Sequence, residues 1–163
     1  SPRAAWAAAR AKGYTPQLLK TSPAQQEIPA FINPPAGSAD DARKALADVA
    51  RFDVREMAPD KLAEASGKEV KAGAKRILIS GGDGTIATAA SAFLHSETAL
   101  AILPGGTLNH FATDLGIPTA AAAALEVAAA GNVRNADVGI VNGRLFLISS
   151  RVRAYVNFFH RRG

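Results

Sequence analysis

The sequence predicts an α/β fold: a Rossmann-like, mostly parallel sheet with helices on both faces. Three observations predict it. Short apolar runs alternate with helix-period segments from Ile28 onward, and the runs end in glycine- or proline-rich turns. From Asn135 the rhythm changes to alternating residues around an Asn-Gly pair, which adds a C-terminal β-hairpin.

Taken in order, residues 1–27 form a lead-in with an alanine-rich piece and no sustained period. "IPAFI" is a short buried strand that ends in the turn "NPPAGS", where Ser38 is placed to cap a helix. In "SADDARKALADVA" the residues Ala42, Leu46, Val49 and Ala50 share one helical face, and Asp40 and Asp41 suit the positive end of the helix dipole. "RFDVREM" alternates as a second strand, and "DKLAEASGKEVKAG" reads as a second, more exposed helix. "RILIS" is a third strand running into "GGDGT", after which Ile86, Ala89, Ala90, Phe93 and Leu94 keep helical spacing.

"TALAIL" is a fourth strand that breaks at "PGG". "TLNHFATDLG" is a short helix closed by Gly116, with Pro118 barring its continuation. An alanine-rich helix follows in "TAAAAALEVAAAG". "NADVGIVNGRLFLIS" then supplies two strands joined at Val141-Asn142-Gly143-Arg144. The expected division is a lead-in (1–27), an α/β domain (28–133), and a stretch of antiparallel strands with a basic tail (134–163).

Composition narrows the function classes. The chain of 163 residues suits one substantial core. It has no cysteine, which excludes disulfides, thiolate metal sites and cysteine nucleophiles. No apolar run approaches the roughly 20 residues of a membrane span. The opening residues read as a fragment boundary and not as a targeting signal. A net charge of +5 favours anionic partners, and much of it lies in "SSRVRAYVNFFHRRG". A solvated end explains that tail better than a nucleic-acid patch, so no nucleic-acid partner is expected.

The chemistry concentrates in "SGGDGT". Gly82, Gly84 and Ala87 fit G-x-G-x-x-A, but the turn follows the third strand and lacks the ribose-binding acid about 20 residues on. A P-loop is excluded because no Gly-Lys-Ser/Thr closes the turn. Asp83 is the unusual element, since a carboxylate beside polyphosphate is repelled unless a cation or a transferable proton lies between them. Two roles answer this: a magnesium contact, or a general base toward an attacking hydroxyl. A third is purely structural, a tight turn in which Asp83 caps the helix that follows it. Gly81, Gly82 and Gly84 let backbone amides approach phosphate, and Thr85 can cap the helix or donate to phosphate. "PGGTLN" repeats the device, with Gly105 and Gly106 clearing space and Thr107 and Asn109 offering hydrogen bonds. Parallel-sheet topology predicts that all three turns converge on one crevice. The three histidines show no metal-ligand spacing, and no G-x-S-x-G elbow supports a hydrolase.

Together "INPPAGS", "ILISGGDGTIATAASAF" and "LAILPGGTLNHFATDLGIP" resemble the catalytic domain of bacterial diacylglycerol kinase-like lipid kinases, sphingosine kinases and ceramide kinases. More distantly, NAD kinase and phosphofructokinase share the glycine-aspartate turn. The resemblance covers Ile28 to Leu147 and implies ATP as phosphate donor, Mg2+, and a lipid alcohol such as diacylglycerol as acceptor. A cytoplasmic location is compatible with the absence of cysteine, and the basic charge suits peripheral contact with an anionic membrane surface, where such an acceptor lives. The resemblance places Asn33 near the nucleotide, Gly82, Asp83, Gly84 and Thr85 in the phosphate turn, and Gly106, Thr107 and Asn109 in the crevice wall. His110 stands where many relatives carry an acid. The resemblance makes 28–133 the α/β nucleotide-binding domain and 134–163 the start of a truncated β-rich domain with a basic tail; in relatives that domain completes the lipid pocket, so nucleotide binding is expected ahead of turnover. The alternatives are a kinase for a soluble acceptor such as NAD and a non-catalytic nucleotide-binding module.

Overall fold

The computed structural model describes residues 27–34, 39–47, 49, 51–142 and 144–147. Most of the lead-in, Ser38 with its expected cap, Gly143 and the tail from Ile148 lie outside the described residues. Four strands form one parallel sheet in the order β2-β1-β3-β4: β1 (Ile28–Ile32), β2 (Phe52–Glu56), β3 (Arg76–Gly81) and β4 (Ala99–Pro104). The chain steps from β1 to one side and then crosses to the other, so strand order reverses between β1 and β3. Ligands of such sheets bind at that reversal, beyond the carboxyl ends of the strands.

Alternation along the strands divides the core into two layers. Ile28, Ala30, Ile32, Leu78 and Leu103 face one side, where they meet Ala42 and Leu46 of α1 (Ala39–Ala47). Ala124, Leu125 and Ala128 of α5 (Ala121–Ala130) complete that layer. Phe31, Ile77, Ile79 and Ile102 face the other side, against Leu62 of α2 (Leu62–Lys71), Ile86 and Ala89 of α3 (Asp83–Ala90), and Phe111 and Ala112 of α4 (His110–Asp114). Helices therefore cover both faces, as the alternating runs predict.

Three local differences have physical causes. α2 buries Leu62 and Ser66 completely, so it is a core helix with an exposed outer face and not the loose one its charges suggest. On that outer face, hydrogen bonding from Lys68 at 2.8 Å holds the Glu64 carboxyl below its ordinary range. The pair is solvent-screened and orients the face more than it stabilises the fold. α3 gives way to a 3-10 turn at Ser91–Phe93, because Leu94 turns extended and His95 takes a left-handed φ of 59°. α5 ends at Gly131 (φ 76°), and a Cβ there would run into the Arg76 guanidinium, which donates to the carbonyls of Ala128 and Ala129. A cation thus sits on the negative end of the alanine helix.

β5 (Val138–Val141) and β6 (Arg144–Leu147) pair antiparallel with Val141 opposite Arg144, and Asn142 takes the left-handed φ of 51° that a tight two-residue turn needs.

Inside α2, the Ser66 hydroxyl is buried without a hydrogen-bond partner among the described residues. An unsatisfied buried hydroxyl costs about 1–3 kcal/mol, and alanine is the better helix former. Ser66→Ala is therefore expected to raise the urea midpoint by the equivalent of about 1 kcal/mol at unchanged m-value. A lowered midpoint would mean that the hydroxyl has a partner in solution.

Candidate functional site

The turns after β3 and β4 come together at the carboxyl ends of the strands as predicted, and of the first turn Asn33, at the end of β1, joins them, while residues 35–38 lie outside the described residues. Asn33 leaves β1 with its amide donating to the carbonyl of Ser80 at 3.3 Å, and its side-chain Nδ2 donates to Thr85 Oγ1 at 3.3 Å. Gly105 donates to the carbonyl of Gly81 at 2.9 Å, which ties the turn after β4 to the turn after β3. At the described residues, the crevice has Asn33 on one side, Gly81 to Thr85 in the middle and Gly105 to Asn109 on the other side.

Local stereochemistry explains why glycine recurs here. A Cβ on Gly81 would lie 2.5 Å from the Thr85 side chain, and one on Gly106 would lie 2.6 Å from the Cα of Gly82. Gly106 therefore clears space for the other turn, whereas the sequence reading had it clearing space for a ligand. Gly84 differs: nothing lies within 4 Å of the position its Cβ would take.

Gly82 is the N-cap of α3, and the first helical bond is Ile86 N–H to Gly82 C=O at 3.0 Å. The amides of Asp83, Gly84 and Thr85 have no hydrogen-bond partner among the described residues. Three free donors on the positive end of a helix, beside an open glycine, suit an anion. Thr85 does not cap its helix. Its hydroxyl accepts from Asn33 and keeps its own proton to donate. The Asn33 Oδ1 is buried without a partner among the described residues, an acceptor held at the back of the crevice.

Asp83 makes contacts that no local pattern in the sequence announces. Its Oδ2 accepts the amide of His110 and its Oδ1 the amide of Phe111, both at 3.0 Å. The carboxylate thus caps α4, a helix 27 residues further along the chain, and not α3, the helix that follows its own turn, which has no side-chain cap. Asn109, the residue in the N-cap position of α4, adopts φ 50° and turns its side chain back: Oδ1 accepts from Gly106 N–H at 2.8 Å and Nδ2 donates to Gly106 C=O at 2.7 Å. Its hydrogen bonds thus close the turn, while Thr107 and Leu108 stand exposed at the tip.

Among the described residues no cluster of three or more His, Asp or Glu could hold a metal ion. A magnesium ion here would therefore be carried chiefly by phosphate and water, as that ion prefers. A concavity of about 730 Å³ lies elsewhere, between β4, α4, the end of α5 and the hairpin, with Leu100, Phe111, Ile117, Val127 and Leu147 in its walls. The described residues that line it include no carboxylate and none of the glycine-turn residues. The unpaired amides and open glycine that suit phosphate are in the crevice.

A parallel sheet with helices on both faces, carrying glycine turns at its strand reversal, defines an α/β protein of the doubly wound kind with a crevice at that reversal. The diacylglycerol kinase catalytic domain family matches residues 27–141, and the chain belongs to that family. A probable lipid kinase, YegS, of Escherichia fergusonii is 46% identical over 74 residues, covering 43% of this chain and 25% of the relative. The protein of the same name from Escherichia coli O1:K1 is 42% identical over 83 residues, covering 48% of this chain and 28% of the relative. A putative diacylglycerol kinase from Bacillus anthracis strain Sterne superposes with a TM-score of 0.66 at 26% identity, covering 75% of this chain and 45% of that one. The chain thus spans about a quarter of the length of the curated relatives it matches. Among the described residues no helix is long and apolar enough to cross a membrane.

Proposed function

We propose that this chain is the nucleotide-binding part of an ATP-dependent lipid kinase that transfers a phosphoryl group to a lipid hydroxyl, such as that of diacylglycerol. The observation that carries the reading is the set of unpaired amides at Asp83, Gly84 and Thr85, facing the open space beside Gly84 at the strand reversal. Family membership supports a kinase, and the names of the relatives support a lipid acceptor.

The residues fit magnesium-bound nucleotide. Gly84 and Thr85 would hold phosphate oxygens through their amides, with the Thr85 hydroxyl as a further donor. Asn33 would line the nucleotide side, and Gly81, Gly82, Gly105, Gly106, Thr107 and Asn109 would shape the walls. Magnesium, when bound with the nucleotide, screens phosphate charge and aligns the terminal group. Each Asp83 oxygen has one amide partner from α4 and a lone pair left over, so the carboxylate can still accept the proton of an attacking hydroxyl or a metal-bound water. The positive net charge would favour peripheral contact with an anionic membrane surface, consistent with a cytoplasmic protein that meets its acceptor at the bilayer.

Two measurements test this. Magnesium-ATP at about 100 times its dissociation constant should stabilise the fold by about 2.7 kcal/mol, read as a raised melting temperature. In a chain continued through the family's β-rich domain, radiolabelled ATP should then label diacylglycerol in mixed vesicles and leave NAD unlabelled. Labelled NAD would move the reading to a soluble-acceptor kinase, and stabilisation without any labelled acceptor would leave a nucleotide-binding module.

A further inference from the structure

We infer that Asp83 is a positioning residue: its carboxylate holds the amino end of α4 and so locks the two glycine turns into a single wall. α4 is only five residues long, and Asn109 does not cap it because its side chain is turned back onto Gly106. The amides of His110 and Phe111 would otherwise lack an acceptor, and Asp83 supplies one oxygen to each. The same unit is held twice more. Gly105 N–H donates to Gly81 C=O, and Gly82 and Gly106 approach so closely that neither turn can shift alone. Phe111 also packs its ring into the layer that holds Ile86 and Ala89 of α3.

The consequence is a division of labour between two helix ends. Asp83 is the resident anion of α4, so the amino end of α4 is filled from within the protein. The amino end of α3, which begins at Asp83 itself, keeps its amides unpaired. A negative side chain in a phosphate turn then needs no cation to be stable in the free protein, because its charge is directed at two amides of a different helix. This part of the inference rests on the reading of the crevice as a phosphate site, but the clasp does not.

Amide hydrogen exchange followed by NMR on the ligand-free chain tests the clasp directly. In the wild-type protein His110 and Phe111 should exchange at least tenfold more slowly than the exposed amides of Thr107 and Leu108. Asp83→Asn keeps one acceptor and should release one of the two amides while the other stays protected. Asp83→Ala should release both, with the β3 amides unchanged as the sign of an intact fold. The graded order Asp, Asn, Ala is a signature that general destabilisation would not give. If Asp83→Ala does not fold, the selective release of one amide in Asp83→Asn decides. Unprotected His110 and Phe111 amides in the wild type, or equal protection in the variants, would overturn the inference. Magnesium-ATP binding is measured in parallel: wild-type protein that shows the clasp and binds no nucleotide refutes the functional reading alone, and the converse result refutes the clasp alone.

Discussion

Alanine at Gly106 is expected to weaken magnesium-ATP binding by at least tenfold and to destabilise the fold by about 1–3 kcal/mol, although it adds a single methyl group. The Cβ would lie 2.6 Å from the Cα of Gly82 and 3.1 Å from Asn109 Oδ1. Neither neighbour is the free end of a flexible side chain. Gly82 is backbone at the start of α3, and Asn109 is held by two hydrogen bonds that close its own turn. The turns must therefore separate, which stretches the Gly105 to Gly81 bond and draws α4 away from Asp83. Gly84→Ala is the informative contrast. Its Cβ meets nothing within 4 Å, so the free protein should be unchanged or stabilised by about 0.4–1 kcal/mol through the loss of unfolded-state freedom. Its nucleotide affinity should nevertheless fall, because the methyl enters the space assigned to phosphate. Calorimetric titration with magnesium-ATP and urea unfolding separate the two cases. Gly106→Ala with wild-type affinity would mean that the turns yield without affecting the site.

The sheet was legible because its signals are local. "IPAFI", "RILIS" and "TALAIL" are buried runs bounded by turn residues, and each became a strand within a residue or two of the expected ends. The Asn-Gly hairpin was legible for the same reason, since a two-residue turn and its flanking alternation lie within about ten residues. Helix ends were less legible. α3 stops at Ala90, although Phe93 and Leu94 keep the helical period, because a half-exposed 3-10 turn carries Phe93 onto the same core layer over its short length.

The wiring of the crevice could not be read at all. Asp83 meets α4 across 27 and 28 residues, Asn33 meets Thr85 across 52, and Gly82 touches Gly106 only because β3 and β4 lie side by side. Spacing alone pointed to glycines that clear room for a ligand, and at Gly84 the open space agrees with that reading. At Gly81 and Gly106 the cleared room belongs to the protein itself. A glycine turn that packs on another glycine turn has the same sequence as one that cradles phosphate, and only the fold separates them.

The second large effect is expected at Phe31, in the middle of the sheet and away from the crevice. Its ring is 1% exposed on β1, between β2 and β3, and packs in the layer with Leu62, Ile77, Ile79 and Ile86. The Arg55 guanidinium lies 5.9 Å from the ring centroid, an exposed contact that adds about 0.5–1 kcal/mol at most. Phe31→Ala should cost about 3–5 kcal/mol through lost burial and the cavity left behind, a large share of the roughly 5–15 kcal/mol that holds a domain together. Phe31→Leu should cost much less, because it keeps most of the volume. Asn33, two residues on, is fixed by its own bonds to Ser80 and Thr85, so the folded molecules should bind nucleotide with nearly unchanged intrinsic affinity. The apparent affinity then falls only by the folded fraction, and saturating nucleotide should recover part of the lost stability. A loss below about 1 kcal/mol would mean that the ring does not fill this layer. A fall in affinity beyond the folded fraction would mean that β1 sets the position of Asn33 through the core and not through its hydrogen bonds.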